Sequence, residues 1–98
     1  MGGFDISGGR LVIDHDLDGE LSQFKAACDA LLESEESELV LDMTAADTFF
    51  SPYIGTIVAL DVTARERGKH LEVRISTSLK RIFDMGRLPE MLDVEVVE

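Results

Sequence analysis

Four groups of residues in this 98-residue chain could do chemistry. The densest is Asp14-His15-Asp16-Leu17-Asp18-Gly19-Glu20-Leu21. Carboxylates at the first, third and fifth positions, then glycine, follow the first half of a calcium loop. Calcium takes six to eight oxygens, and such a loop is closed by a bidentate glutamate at position twelve. That position is Lys25, a cation where an anion is needed. The expectation is therefore a polar connection into a helix, with Asp18 or Ser22 as its cap and no metal bound by Asp14, Asp16 and Asp18.

The second group is Ser51-Pro52. Serine is a favoured N-cap and proline a favoured first helical residue. A hydroxyl at that end of a helix lies beside free N–H groups and the positive end of the dipole, where an added phosphate is stabilised. Phe49, Phe50, Tyr53 and Thr56 stand close by in sequence, and aromatic residues make good interface anchors. Ser51 is accordingly a candidate phosphoacceptor, and Phe49, Phe50, Ser51, Pro52, Tyr53 and Thr56 form a candidate exposed docking surface.

The remaining two groups are weaker. Cys28 stands in a helical stripe with Leu21, Phe24, Leu31 and Leu32 and reads as a small buried hydrophobe. His15 and His70 are far apart, without metal-ligand spacing. The chain contains no glycine-rich phosphate loop and no G-x-S-x-G elbow. The reading is of a non-enzymatic protein without a cofactor.

The elements that must position these residues follow from periodicity. Phe4-Asp5-Ile6 and Leu11-Val12-Ile13 read as strands joined at Ser7-Gly8-Gly9, a hairpin turn needing positive φ. A helix starts at Leu21, and the acidic stretch Glu33 to Glu38 connects it onward. Leu39 to Met43 is short and apolar, the pattern of a central strand buried on both faces. A second helix runs from Pro52. Arg65, Arg67 and Lys69 close it against the dipole and Gly68 ends it. Leu71, Val73 and Ile75 alternate with Glu72 and Arg74 in a half-buried strand. Ser76 to Ser78 is a loop with capping residues. Leu79, Ile82 and Phe83 mark a short helix ended by Gly86, and Val94 to Val97 an edge strand. The order β-β-α-β-α-β-α-β predicts one α/β domain over residues 1–98, with a mixed, mostly parallel sheet of about four or five strands packed with helices.

Charge narrows the partners. The net charge is −11, and residues 1–50 hold 12 acids against 2 bases. A nucleic-acid binder neutralises phosphates with lysine and arginine, so neither nucleic acid nor an anionic membrane is expected. No apolar run is long enough to span a bilayer and no signal peptide is evident, so the expected location is the cytoplasm. A single cysteine allows no internal disulfide.

The stretch from Leu39 to Leu92 resembles STAS domains, the family of the bacterial anti-sigma factor antagonists. There, a strand like Leu39-Val40-Leu41-Asp42-Met43 leads through a loop to Asp-Ser-Ser-Gly-Leu-Gly opening a helix. The corresponding run here is Phe50-Ser51-Pro52-Tyr53-Ile54-Gly55. The helix through Arg65-Glu66-Arg67-Gly68 and the segment Ser78 to Met85 are also similar. The sequence departs at Phe50, Pro52 and Tyr53, and Gly86-Arg87-Leu88 replaces a final Gly-Leu, with the glycine one place early. The resemblance implies a STAS (SpoIIAA-like) fold and an antagonist that switches partners. Those partners are an anti-sigma factor that is itself an ATP-binding serine kinase, which phosphorylates the serine at position 51, and a phosphatase that resets it. The departures favour a second reading: a STAS scaffold without phosphorylation that self-associates, as a homodimer or within a larger complex.

Overall fold

The fold follows from glycine placement, apolar alternation and the handedness of strand crossovers. A computed structural model describes residues 4–47 and 51–97. Strands β1 (Phe4–Ser7) and β2 (Arg10–Ile13) form an antiparallel hairpin with Ser7 opposite Arg10. Its two linking residues, Gly8 and Gly9, have φ of 56° and 81°. Positive φ at both positions is what a type I′ turn demands, and glycine adopts it without steric cost.

Helix α1 (Leu21–Leu32), strand β3 (Glu38–Met43), helix α2 (Ser51–Glu66), strand β4 (His70–Ser76), helix α3 (Thr77–Met85), a 3-10 turn at Leu88–Glu90 and strand β5 (Asp93–Val97) complete the chain. Among the described residues the strands form one sheet in sequential order, with β2 to β5 mutually parallel. The element order read from periodicity holds, and β5 lies at an edge.

Right-handed crossovers that always step in the same direction place their helices on the same side of a sheet. Burial shows this sidedness. Leu11, Ile13, Leu39, Leu41, Met43, Leu71, Val73 and Ile75 are all buried, whereas the alternate residues Arg10, Val12, Val40, Glu72 and Arg74 are half-buried. The core therefore lies between one sheet face and the three helices. It is completed by Phe24, Leu31, Ile57, Leu60, Leu79 and Phe83.

This arrangement corrects the expectation for β3. The strand is central, as its apolar run suggested, but only one of its faces is covered by helices. The other face carries Val40 and Asp42. Asp42 is buried there by its neighbours: Arg10 bonds one carboxylate oxygen, and the Thr44 N–H and hydroxyl donate to the other at 3.0 and 2.7 Å.

Two helix starts also differ in detail. Helix α1 is preceded by Glu20, not Asp18, and Ser22 lies inside the helix; no side chain caps its first turn. Leu21 is exposed, so the buried stripe is Phe24, Ala27, Cys28, Leu31 and Leu32. Ser76 precedes α3 but its hydroxyl donates to the Ala46 carbonyl at 3.1 Å instead of capping the helix.

The end of α2 combines two devices. Gly68 has φ 74°, with the Lys69 N–H bonded to the Ala64 carbonyl and the Gly68 N–H to the Arg65 carbonyl. This is the Schellman pattern. The cations beyond it reach across to α1: Lys69 Nζ donates to the Ser34 and Glu36 carbonyls at 2.7 and 2.8 Å, and Arg67 pairs with Glu33. They neutralise the acidic connection that follows α1. Arg65 pairs with Asp61 and donates to the Met91 carbonyl.

Candidate functional site

The β3–α2 connection ends where Ser51 opens the 16-residue helix α2, one residue before the expected start at Pro52. Phe49 and Phe50 lie outside the described residues, and only the backbone of Ser51 is described. Pro52 is exposed and Thr56 half-exposed, its hydroxyl donating to the Pro52 carbonyl at 3.3 Å.

Tyr53 overturns an expectation. Its place in the sequence predicts an exposed docking surface, yet it is only 3% exposed. Its ring meets Phe24 edge-on, with centroids 5.6 Å apart, and its hydroxyl accepts the Glu20 N–H at 2.8 Å. The physical reason is helix pairing. With Ile57, Leu60 and Ala64, Tyr53 lies on the stripe of α2 that faces the core, because residues at i, i+4, i+7 and i+11 share one side of a helix.

The outward side of α2 is different. Between α1 and α2 runs an open groove of about 420 Å³, lined by Lys25, Cys28 and Asp29 from α1 and Pro52, Gly55 and Thr56 from α2, among others. A Cβ added at Gly55 would meet nothing within 4 Å. The groove and the exposed start of α2 are contiguous through Pro52. Sequence reasoning found the helix start but not the groove, because a groove depends on how two helices pack.

Cys28 touches this groove without being reactive. Burial, with a smaller effect from the nearby Asp29 charge, pushes its thiol up to about 12. At neutral pH it carries almost no thiolate, the nucleophilic form.

The Asp14–Glu20 segment does not gather its carboxylates. Asp14 bonds to His15, while Asp16 accepts the Asp47 N–H at 2.7 Å, tying this loop to the one after β3. The Asp18 N–H is weakly directed at Glu20. Among the described residues no group of three or more His, Cys, Asp or Glu side chains could hold a metal ion.

The segment instead centres on His15, whose two ring nitrogens both meet carboxylates: Nδ1 lies 3.0 Å from Asp14 and Nε2 lies 2.9 and 3.1 Å from the Glu20 oxygens. The Asp14 and Glu20 hydrogen bonds raise its pKa above the ordinary histidine value. The spacing of five residues between His15 and Glu20 was visible in sequence, but Gly19, with φ 68°, is what folds the chain back to bring them together.

The open sheet face carries further charge. His70 meets Asp93 at 2.7 Å, and Arg74 lies between Glu72 and Glu95. A hydrogen bond between the two glutamates holds Glu72 below the usual carboxylate range and Glu95 above it. For Asp42, burial opposes ionisation, but the Thr44 and Arg10 hydrogen bonds prevail and hold its carboxyl low.

Among the described residues no helix is long and apolar enough to cross a membrane. No family model matches the chain, and no curated protein matches it.

Proposed function

We propose that this chain is a STAS-type protein-interaction module that acts without catalysis, as an anti-sigma factor antagonist in a partner-switching pathway of the bacterial cytoplasm. Its docking surface is the start of α2, with Ser51, Pro52 and Thr56, together with the groove between α1 and α2; Phe49 and Phe50 flank it in sequence. Tyr53 serves this surface from beneath, by fixing α2 against α1. Ser51 is the phosphoacceptor. An ATP-binding serine kinase that is also the anti-sigma factor docks there, and a phosphatase removes the phosphate.

The observation that carries this reading is that Ser51 is the first residue of α2. Phosphate at a helix N-terminus gains the free N–H groups and the dipole, so the modification leaves the fold intact and changes what can dock. A second observation agrees with the resemblance. The left-handed residue after α3 is Arg87, with φ 56°, immediately before Leu88. A glycine at that position would match the Gly-Leu ending of the resembled family, which supports the reading.

Incubation with the cognate kinase and ATP, followed by intact-mass measurement, tests the proposal. Wild type gains one phosphate and Ser51→Ala gains none. Unmodified wild type, or phosphate retained on Ser51→Ala, rejects Ser51 as acceptor.

One feature favours a scaffold that self-associates without phosphorylation: Pro52 is exposed directly after Ser51 and stiffens the backbone a kinase would have to engage. Under that reading Ser51→Glu leaves partner binding unchanged and sedimentation shows a dimer. Under the switching reading the same substitution releases the partner.

A further inference from the structure

His15 makes an arrangement that only one protonation state satisfies. A neutral imidazole has one N–H donor and one acceptor nitrogen, whereas an imidazolium has two donors. Here Nδ1 faces the Asp14 carboxylate at 3.0 Å and Nε2 faces both Glu20 oxygens at 2.9 and 3.1 Å. With a neutral ring, one of the two contacts sets a lone pair against a carboxylate. With an imidazolium, both become charge-assisted hydrogen bonds.

What the ring joins is more than its own loop. Glu20 directly precedes α1, and its N–H is held by the Tyr53 hydroxyl on the first turn of α2. Asp16, next to His15, accepts the Asp47 N–H from the β3–α2 connection. Leu17, between the two ends of the contact, is fully buried. The Phe4 ring of β1 stands perpendicular to the imidazole, with centroids 5.7 Å apart. The charged groups acting on the ring are Asp14 and Glu20, both anionic. Phe4 brings no charge from β1.

We propose that His15 is a proton-operated clasp: as an imidazolium it pins Asp14 to Glu20 and holds the 14–20 loop, with the Glu20–Tyr53 hydrogen bond behind it, against the start of α2, and as a neutral ring it releases one end. The device stands whether or not Ser51 accepts phosphate. The carboxylates favour the charged ring in the folded chain. The stabilisation is therefore fully present below the pH at which an unfolded histidine titrates, and it is lost as pH rises through the higher folded midpoint. That window begins at the ordinary histidine value and extends upward from it.

The test follows the ring and the loop in one titration of the full chain. Side-chain NMR gives the His15 midpoint, with His70→Gln assigning the signal, while hydrogen exchange gives the protection of the Glu20 N–H. The His15 midpoint lies above that of an unstructured histidine, and Glu20→Gln and Asp14→Asn each lower it. Protection of the Glu20 N–H, corrected for intrinsic exchange, falls by about threefold to fivefold as the ring deprotonates, the size expected of a part-exposed ion pair. An ordinary or depressed midpoint overturns the clasp. So does a midpoint that Glu20→Gln does not move, or Glu20 protection that stays constant while His15 titrates. The wild-type titration alone decides the matter if a variant folds poorly.

Discussion

The Tyr53 hydroxyl accepts the Glu20 N–H at 2.8 Å, so a residue in the first turn of α2 holds the residue that precedes α1. Removing this oxygen leaves a part-buried donor unpaired while the ring keeps its place against Phe24. Tyr53→Phe therefore destabilises the fold by about 1 kcal/mol, read as a shift in the urea midpoint at constant slope. An unchanged midpoint shows that water replaces the bond at no cost.

The two hairpin glycines respond oppositely. A Cβ at Gly9 would come within 2.9 Å of the Glu36 side chain and 3.1 Å of the Glu38 carbonyl, whereas at Gly8 it meets nothing within 4 Å. Gly9→Ala adds this collision to an unfavourable positive φ, and destabilises by about 1–3 kcal/mol. Gly8→Asn is tolerated or slightly stabilising, because asparagine readily adopts that conformation at the first position of such a turn. Thermal unfolding of the two variants separates them.

After α3 the glycine and the backbone that wants one are out of step. Gly86 has an ordinary φ of −89°, and its nearest neighbour to an added Cβ is the Leu88 side chain at 3.6 Å. Arg87 holds the left-handed conformation. Arg87→Gly relieves strain and Gly86→Ala reduces the entropy of the unfolded chain, each stabilising by about 0.5–1 kcal/mol. The double substitution gives a melting temperature above either single one. A lower melting temperature for Arg87→Gly would falsify the strain argument.

Asp42 sets an acid limit. Its carboxyl is held below the ordinary aspartate range, so its stabilisation is present above that range and is lost as pH falls through the lower folded value. Asp42→Asn is less stable than wild type at neutral pH, and the difference narrows on acidification. A constant difference down to the point of acid unfolding contradicts the role given to the Arg10 and Thr44 bonds.

Cys28 gives a check on the core. With its thiol pushed up to about 12 by burial, it resists iodoacetamide at neutral pH in the native protein and reacts once urea unfolds the chain. Rapid native labelling indicates that the α1–α2 groove opens further than described.

The sequence made the strands and helices legible because their signals are local: Gly8-Gly9 demands a turn, Leu71-Glu72-Val73-Arg74-Ile75 alternates, and Gly68 ends a helix. What it concealed depended on packing across the chain. Leu21 matched the helical stripe yet lies at the outer edge of α1. Leu39 to Met43 suggested burial on both faces, but a sheet whose helices all lie on one side leaves Val40 and Asp42 to be shielded by ion-paired neighbours. Tyr53, next to Ser51-Pro52, invited a surface role, and only the position of α1 shows that it is an internal support. The Asp14–Glu20 run displayed its carboxylates but not the bend at Gly19 that brings Glu20 back to His15.

Among the described residues strand β5 pairs only with β4, and the outer side of an edge strand is the usual template for edge-to-edge aggregation. Its exposed residues include Asp93 and Glu95, so a further strand of the same kind would set carboxylate beside carboxylate. The Glu95 carboxyl is held above its usual range by Glu72 and takes up its proton early on acidification. Mild acid therefore removes part of the repulsion that discourages fibre growth from this edge, before the Arg10–Asp42 contact on the same face is lost.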